Sequence, residues 1–396
     1  MRPSRARRMK ERDQRRQRGI LPQFATGGQP SRWTFLAASG ALAAIPARAF
    51  AAPVPDGRLK QALVLSGGGA RGAYEAGIVD YLRASQSVPD GAALPPYGFV
   101  AGTSVGALNG YFVATGQYTL LRSLWYQIAE QRVIVLKRDY AKILDPDSGL
   151  GNRAFEGARL ILRLTRDDTG VADGAHLHDW LAARIDPDRP VLVPFVWTVT
   201  NLSTQAPEFF YLLSSELTPE QRANEAAALR AIVAPNVVVR EATPDILVDA
   251  LRASAAIPIA FDPVALPSYD GTSVQYYVDG GVTANTPVAI ARTAARRIDV
   301  VLLDPPFQKP EYKSAIDVGY GVFGAMQRRI LEADLRAAYL QRYVTPLYPT
   351  EIFQIQPRTE LKVAVGGFND RANIYAAFVT GFEDARSGFV PYEFSE

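Results

Sequence analysis

The chain has 396 residues, 48% of them apolar and 21% charged, with 43 Lys/Arg against 40 Asp/Glu and no cysteine. This is an ordinary globular composition, sufficient for one large α/β domain, and the lack of cysteine excludes disulfides and a lipoprotein anchor. The basic excess is local. Residues 1–51 hold 11 Lys/Arg against 2 Asp/Glu, and the remaining 32 basic and 38 acidic residues give a net charge of −6. A nucleic-acid partner is therefore not indicated.

The first 51 residues read as an export leader. A long basic run precedes Trp33-Thr34-Phe35-Leu36, an Ala-rich stretch reaches Ile45, and Ala49-Phe50-Ala51 offers a small-x-small cleavage site. Ser31-Arg32-Trp33-Thr34-Phe35-Leu36 is similar to a twin-arginine signal that keeps one of its arginines. The expected location is periplasmic or secreted, through a twin-arginine-like or Sec-like route. A disordered basic tail, a start-codon error, and a cytoplasmic or peripheral membrane location stand as alternatives. The apolar stretch is too short for a transmembrane helix.

Ala62-Leu63-Val64-Leu65 is a short apolar run that ends in Ser66-Gly67-Gly68-Gly69-Ala70-Arg71-Gly72, and Tyr97 to Ala101 leads likewise into Gly102-Thr103-Ser104-Val105-Gly106. Each reads as a buried parallel strand turning into a helix. Such turns present backbone N–H groups and one side chain at the carboxyl edge of a sheet. The second has the G-x-S-x-G spacing of a nucleophile elbow, with Gly102 and Gly106 letting strand and helix pass around a strained serine. Ser104 is thus a candidate nucleophile.

The first turn also satisfies G-x-G-x-x-G. A dinucleotide site would need an acidic residue at the end of the next strand, but that strand ends in Gly102-Thr103-Ser104 and neither Asp80 nor Asp90 is at a strand end. A P-loop would need a closing Gly-Lys-Ser/Thr, which is absent. The remaining reading is a backbone cradle for an anion, an oxyanion in a serine hydrolase. Arg71 in a first helical turn opposes the helix dipole, which predicts negative charge from elsewhere: an oxyanion, a substrate phosphate or a nearby carboxylate.

The two histidines, His176 and His178, fall in Gly-Ala-His-Leu-His-Asp-Trp with Asp173 and Asp179 beside them, and read as residues that cap or flank a helix. Another base is expected. Gln275-Tyr276-Tyr277-Val278-Asp279-Gly280-Gly281 is a strand ending in an aspartate, with Gly280 and Gly281 allowing close approach. Burial would raise the Asp279 carboxyl above its usual range of about 4, and a direct Ser–Asp hydrogen bond would permit proton transfer. Read alone, Asp-Gly is a tight turn.

The glycine segment, the elbow and Asp279-Gly280-Gly281, in that order, resemble the patatin-like phospholipase family. Further similarity lies in Ala253-Ser254-Ala255-Ala256-Ile257-Pro258, ahead of Phe261 and Pro263, and in Asn285-Thr286-Pro287. The resemblance covers about residues 58–305. It implies a three-layer α/β/α fold with a mostly parallel central sheet, a Ser104–Asp279 dyad, and an oxyanion hole at Gly67, Gly68, Gly69 and Arg71. The implied reaction is hydrolysis of lipid carboxylic esters, of phospholipase A or lysophospholipase type, through an acyl-enzyme without cofactor or metal. The implied partners are a lipid or phospholipid substrate and transient contact with a membrane surface. An acyltransferase or thioesterase on the same dyad, or a non-catalytic lipid-binding relative, are the alternatives.

The remaining elements follow from periodicity. Runs Leu192 to Val199, Phe209 to Leu213, Val300 to Leu303 and Ile352 to Ile355 predict strands. Tyr118 to Asp186 predicts a helical insertion over the site. Leu247 to Ser254 predicts an amphipathic helix, and Asn109 a place in the elbow helix. Thr286 with Pro287 predicts an N-cap and first turn for a helix over Val288 to Arg297, and Asn369 to Arg386 a closing helix. Residues 58–360 are accordingly expected to form the hydrolase domain, and 361–396 a helical extension packed on it.

Overall fold

The sheet of the computed structural model grows outward from Lys60–Leu65 (β1). This strand is apolar at every position from Ala62 to Leu65 because both its faces are covered: Leu63 and Leu65 enter one hydrophobic cluster, Ala62 and Val64 the other. Tyr97–Thr103 (β2) pairs with it in parallel on one side and Ala295–Val301 (β8) on the other. Beyond β2 come Phe195–Asn201 (β3), parallel, then Ala206–Leu212 (β4), antiparallel, and Val239–Glu241 (β5), parallel to β4. Beyond β8 come Glu351–Ile355 (β9), parallel, and Val390–Pro391 (β10), antiparallel. A hairpin of Val264–Pro267 (β6) and Val274–Asp279 (β7) joins through β7, which runs antiparallel to β3. The structure describes residues 60–138, 169–231, 237–292, 294–304, 315–344 and 350–392, and all of these fall in one compact unit spanning 45–396.

Helices cover both faces, which makes three layers. On one side lie Gly72–Ser85 (α1), Val105–Ala114 (α2), Tyr118–Gln127 (α3), Gly174–Ala182 (α4) and Leu247–Ser254 (α6). On the other lie Pro219–Ala231 (α5), Val288–Ala291 (α7) and Ala315–Val344 (α8). The closing helix Arg371–Arg386 (α9), capped by the Asp370 carboxylate on Asn373 N, packs on α1. Their backbones nearly touch, for a Cβ on Gly77 would lie 2.0 Å from Phe378 O and one on Gly381 1.9 Å from Tyr74 O. The Tyr74 hydroxyl donates to Asp384 across this contact, 2.9 Å. Among the described residues no helix is long and apolar enough to cross a membrane.

The helix expected over Val288 to Arg297 is shorter than predicted. It stops at Ala291, and Ala295 already begins β8. Ile298 and Val300 pair with Ala62 and Val64 and are buried, so central-strand burial overrides the helical propensity of the Ala- and Arg-rich stretch. Thr286 makes no capping bond there. The strand expected from Leu192 begins at Phe195, after Pro194. The leader and residues 139–168 of the expected insertion lie outside the described residues.

Candidate active site

Two strands meet end to end beside β3. Strand β2 runs parallel to β3 and ends with Thr103 opposite Thr198, while β7 runs antiparallel and ends with Asp279 opposite Val199. The residue after β2 and the last residue of β7 are therefore brought face to face. Ser104 Oγ donates to Asp279 Oδ2 at 2.6 Å.

Ser104 stands on a sharp turn with φ 56° and ψ −125°, immediately before α2. A non-glycine residue with positive φ is strained, and the flanking glycines are what the strain requires. A Cβ on Gly102 would sit 2.2 Å from Gly106 O, and one on Gly106 2.3 Å from Leu65 O. The turn is held by Ser254, which sequence reasoning left without a role. Its buried hydroxyl accepts from Ser104 N at 2.9 Å and donates to Thr198 O at 2.7 Å. Thr103 Oγ1 ties the same turn to Ala284 O at 2.9 Å.

Asp279 has its second oxygen on Gly281 N at 2.7 Å, and Gly280 packs against Thr198 O, where a Cβ would lie 2.3 Å away. Burial pushes its carboxyl up to about 7, with the Ser104 and Gly281 hydrogen bonds pulling the other way. The acid is thus poised between its two protonation states near neutral pH.

The glycine segment runs alongside. Gly67 N donates to Asn285 O at 3.0 Å and Asn285 Nδ2 donates back to Gly67 O at 3.2 Å. The Asn285 amide thereby clamps the glycine segment to the acid loop. Ser66 Oγ donates to Val301 O at 2.7 Å, which leaves the Thr286 hydroxyl, 2.9 Å away, to donate to Ser66. Gly69, with φ +58°, lies so close to Val365 O that a Cβ would be 2.1 Å from it. Ala70 N donates to that carbonyl at 2.8 Å, and Arg71 N to Gly68 O at 3.3 Å. The amides of Gly68 and Gly69 make no hydrogen bond among the described residues. Of the four residues expected at an oxyanion hole, these two keep free donors.

Arg71 meets a carboxylate. Its guanidinium pairs with Asp304 and donates through Nε to Val363 O at 3.3 Å. The histidines lie apart from the dyad, on α4, which Asp173 caps by accepting from Ala175 N and His176 N. His176 Nε2 lies 2.8 Å from Arg132 O, and His178 lies 3.2 Å from Asp179. Among the described residues no group of acids and histidines could hold a metal ion.

A cavity of about 230 Å³ opens from Ser104 and Gly69. Its walls are apolar, with Phe112 from α2, Leu124 and Trp125 from α3, and Leu177 and Leu181 from α4. Helices α3 and α4, the described ends of the stretch expected as an insertion, thus contribute to the lining. Besides Ser104, the Asn109 side chain lies on the lining, and it is engaged: Nδ2 donates to Glu75 at 2.9 Å and to Gly72 O at 3.0 Å, and Oδ1 accepts from Trp125 Nε1 at 2.9 Å.

The geometry is that of a serine on a sharp strand-to-helix turn, hydrogen-bonded to a buried acid at the edge of a mostly parallel α/β sheet. Residues 63–292 match the patatin-like phospholipase family, and the chain belongs to it. The family is one of lipid acyl hydrolases, which sets the general class of activity and of substrate. The chain is 26% identical over 288 residues to the uncharacterized protein YqhO of Bacillus subtilis (strain 168), covering 71% of this chain and 83% of that one. The crystal structure of VipD from Legionella pneumophila aligns with a TM-score of 0.35 and 13% identity, over 83% of this chain and 66% of that one, a little under two thirds of its length.

Proposed function

We propose that the protein hydrolyses carboxylic esters of lipids, as a phospholipase A or lysophospholipase, with Ser104 as nucleophile and Asp279 as base. The observation that carries this reading is the 2.6 Å bond from Ser104 Oγ to a buried carboxylate, at the mouth of an apolar cavity. The acyl chain enters the cavity and brings its ester carbonyl to Ser104. Asp279 accepts the hydroxyl proton as Oγ bonds to the carbonyl carbon, and the oxygen that gains charge is met by the free amides of Gly68 and Gly69. Collapse breaks the ester C–O bond, and the proton on Asp279 passes to the leaving alcohol. Water then attacks the acyl-enzyme, gives its proton to Asp279, and displaces Ser104, which recovers that proton.

An aspartate at its usual acidity would be a poor base for an alcohol. At about 7, Asp279 is a stronger base that is still substantially ionised at neutral pH. The purified protein, incubated with phospholipids and lysolipids, should release free fatty acid, and Ser104→Ala should not. Release of a phosphorylated headgroup, with the acyl esters left intact, would oppose the reading.

A further inference from the structure

The wall of the site does not end with the family match at residue 292. Three consecutive residues of the glycine segment lean on the stretch that follows β9: Gly69 packs on Val365 O, Ala70 N donates to the same carbonyl, and Arg71 Nε donates to Val363 O. Val363 is completely buried and Leu361 nearly so, which anchors this stretch in the core. From there Val365, Gly366 and Phe368 line the cavity. The Phe368 ring stacks on Trp125, centroids 6.4 Å apart and planes 20° from parallel.

We infer that residues 361–368 form one wall of the acyl pocket and that Phe368 sets the length of chain the pocket accepts. This rests on the lipid-ester reading above. The pocket is apolar on nearly every side, so it selects among acyl chains by the space it offers rather than by polar recognition. Trp125 is fixed, because its indole N–H is held by Asn109, which is held in turn by Glu75 and Gly72. Phe368 carries no polar tether and is only partly buried. It is the part of the wall that a substitution can remove without unmaking the dyad, the elbow or the glycine segment. Shortening it extends the apolar space beside Trp125, and a longer acyl chain gains contacts there that a short one cannot reach.

The test compares kcat/KM of the full-length protein for p-nitrophenyl butyrate and p-nitrophenyl laurate. Phe368→Ala should raise the laurate-to-butyrate ratio about tenfold over the unsubstituted protein, within the range of selectivity that methylene-sized differences give in apolar pockets. Phe368→Leu should raise it less and in the same direction, and it reads the same quantity where the alanine variant does not fold. A ratio that stays or falls in a folded, active variant overturns the assignment of Phe368. Unsubstituted protein that is inactive on every ester would instead overturn the lipid-ester reading on which it rests.

Discussion

Glu75 and Asp279 are both buried carboxyls, and they differ in what surrounds them. Glu75, 0% exposed on α1, accepts from the Asn109 amide at 2.9 Å. Asp279, 2% exposed, has both oxygens satisfied, one by Ser104 and one by Gly281 N. Burial raises both: Glu75 is held well above the usual carboxylate range, with Asn109 and the Ser66 backbone pulling the other way, and Asp279 is pushed up to about 7, with Ser104 and Gly281 pulling the other way. The difference lies in the partner: Glu75 holds the Asn109 amide, and Asp279 holds the Ser104 hydroxyl. Under the proposed mechanism, the carboxyl that holds the serine hydroxyl is the one that takes a proton and returns it.

The sharpest way to break this contrast is to remove each charge in turn. Asp279→Asn keeps the shape and loses the basic oxygen, and kcat on a lipid ester should fall about 10³-fold with the fold intact by circular dichroism. Glu75→Gln should leave kcat near its starting value, since Glu75 lies behind Asn109 and is hydrogen-bonded to that amide, not to Ser104 or Asp279. The pH dependence should divide the same way: kcat/KM should be low in acid, rise through about pH 7 as Asp279 loses its proton, and level off above. The Glu75→Gln profile should superimpose on it.

Smaller effects concern support and stability. Ser254→Ala removes the acceptor for Ser104 N and the donor to Thr198 O, and should cost about 1–3 kcal/mol in urea unfolding together with some turnover. Glu75 has a raised pKa in the folded chain, so the folded state binds more protons than the unfolded one above about pH 4.5. Its contribution to stability is full below that pH and is lost as pH rises toward the folded value. Glu75→Gln should therefore flatten the fall in unfolding free energy between acid and neutral pH. The smallest effect is expected from replacing His176 and His178 together with alanine, which should leave the activity profile in place.

The parts of the fold legible in sequence were those encoded locally. The runs at Ala62, Tyr97 and Gln275, each ending in glycine or Asp-Gly, announced strands that end in sharp turns, because a buried strand is apolar throughout and a sharp turn needs glycine. Arg71 was legible as a misfit, and it found its carboxylate in Asp304. The short edge strands β5, β6 and β10 were not legible, being two to four residues long and stabilised only by pairing. Nor were the supports: Ser254, the Asn285 clamp, Glu75 behind Asn109, and Val365 on the glycine segment all act between residues 34 to 295 positions apart. No local pattern records such contacts. The juxtaposition of Ser104 and Asp279 came from family resemblance at the sequence level, and its geometric cause, two strands converging on β3 from opposite directions, is a property of the sheet.

The central claim is that Asp279 activates Ser104, and a fluorophosphonate probe followed by peptide mass mapping tests it most directly, because the probe reacts with an activated serine whatever the natural lipid. The account predicts one adduct, on the peptide that contains Ser104, lost in Ser104→Ala and formed far more slowly in a folded Asp279→Asn. An adduct on another serine, or undiminished labelling of Ser104 in Asp279→Asn, would contradict it.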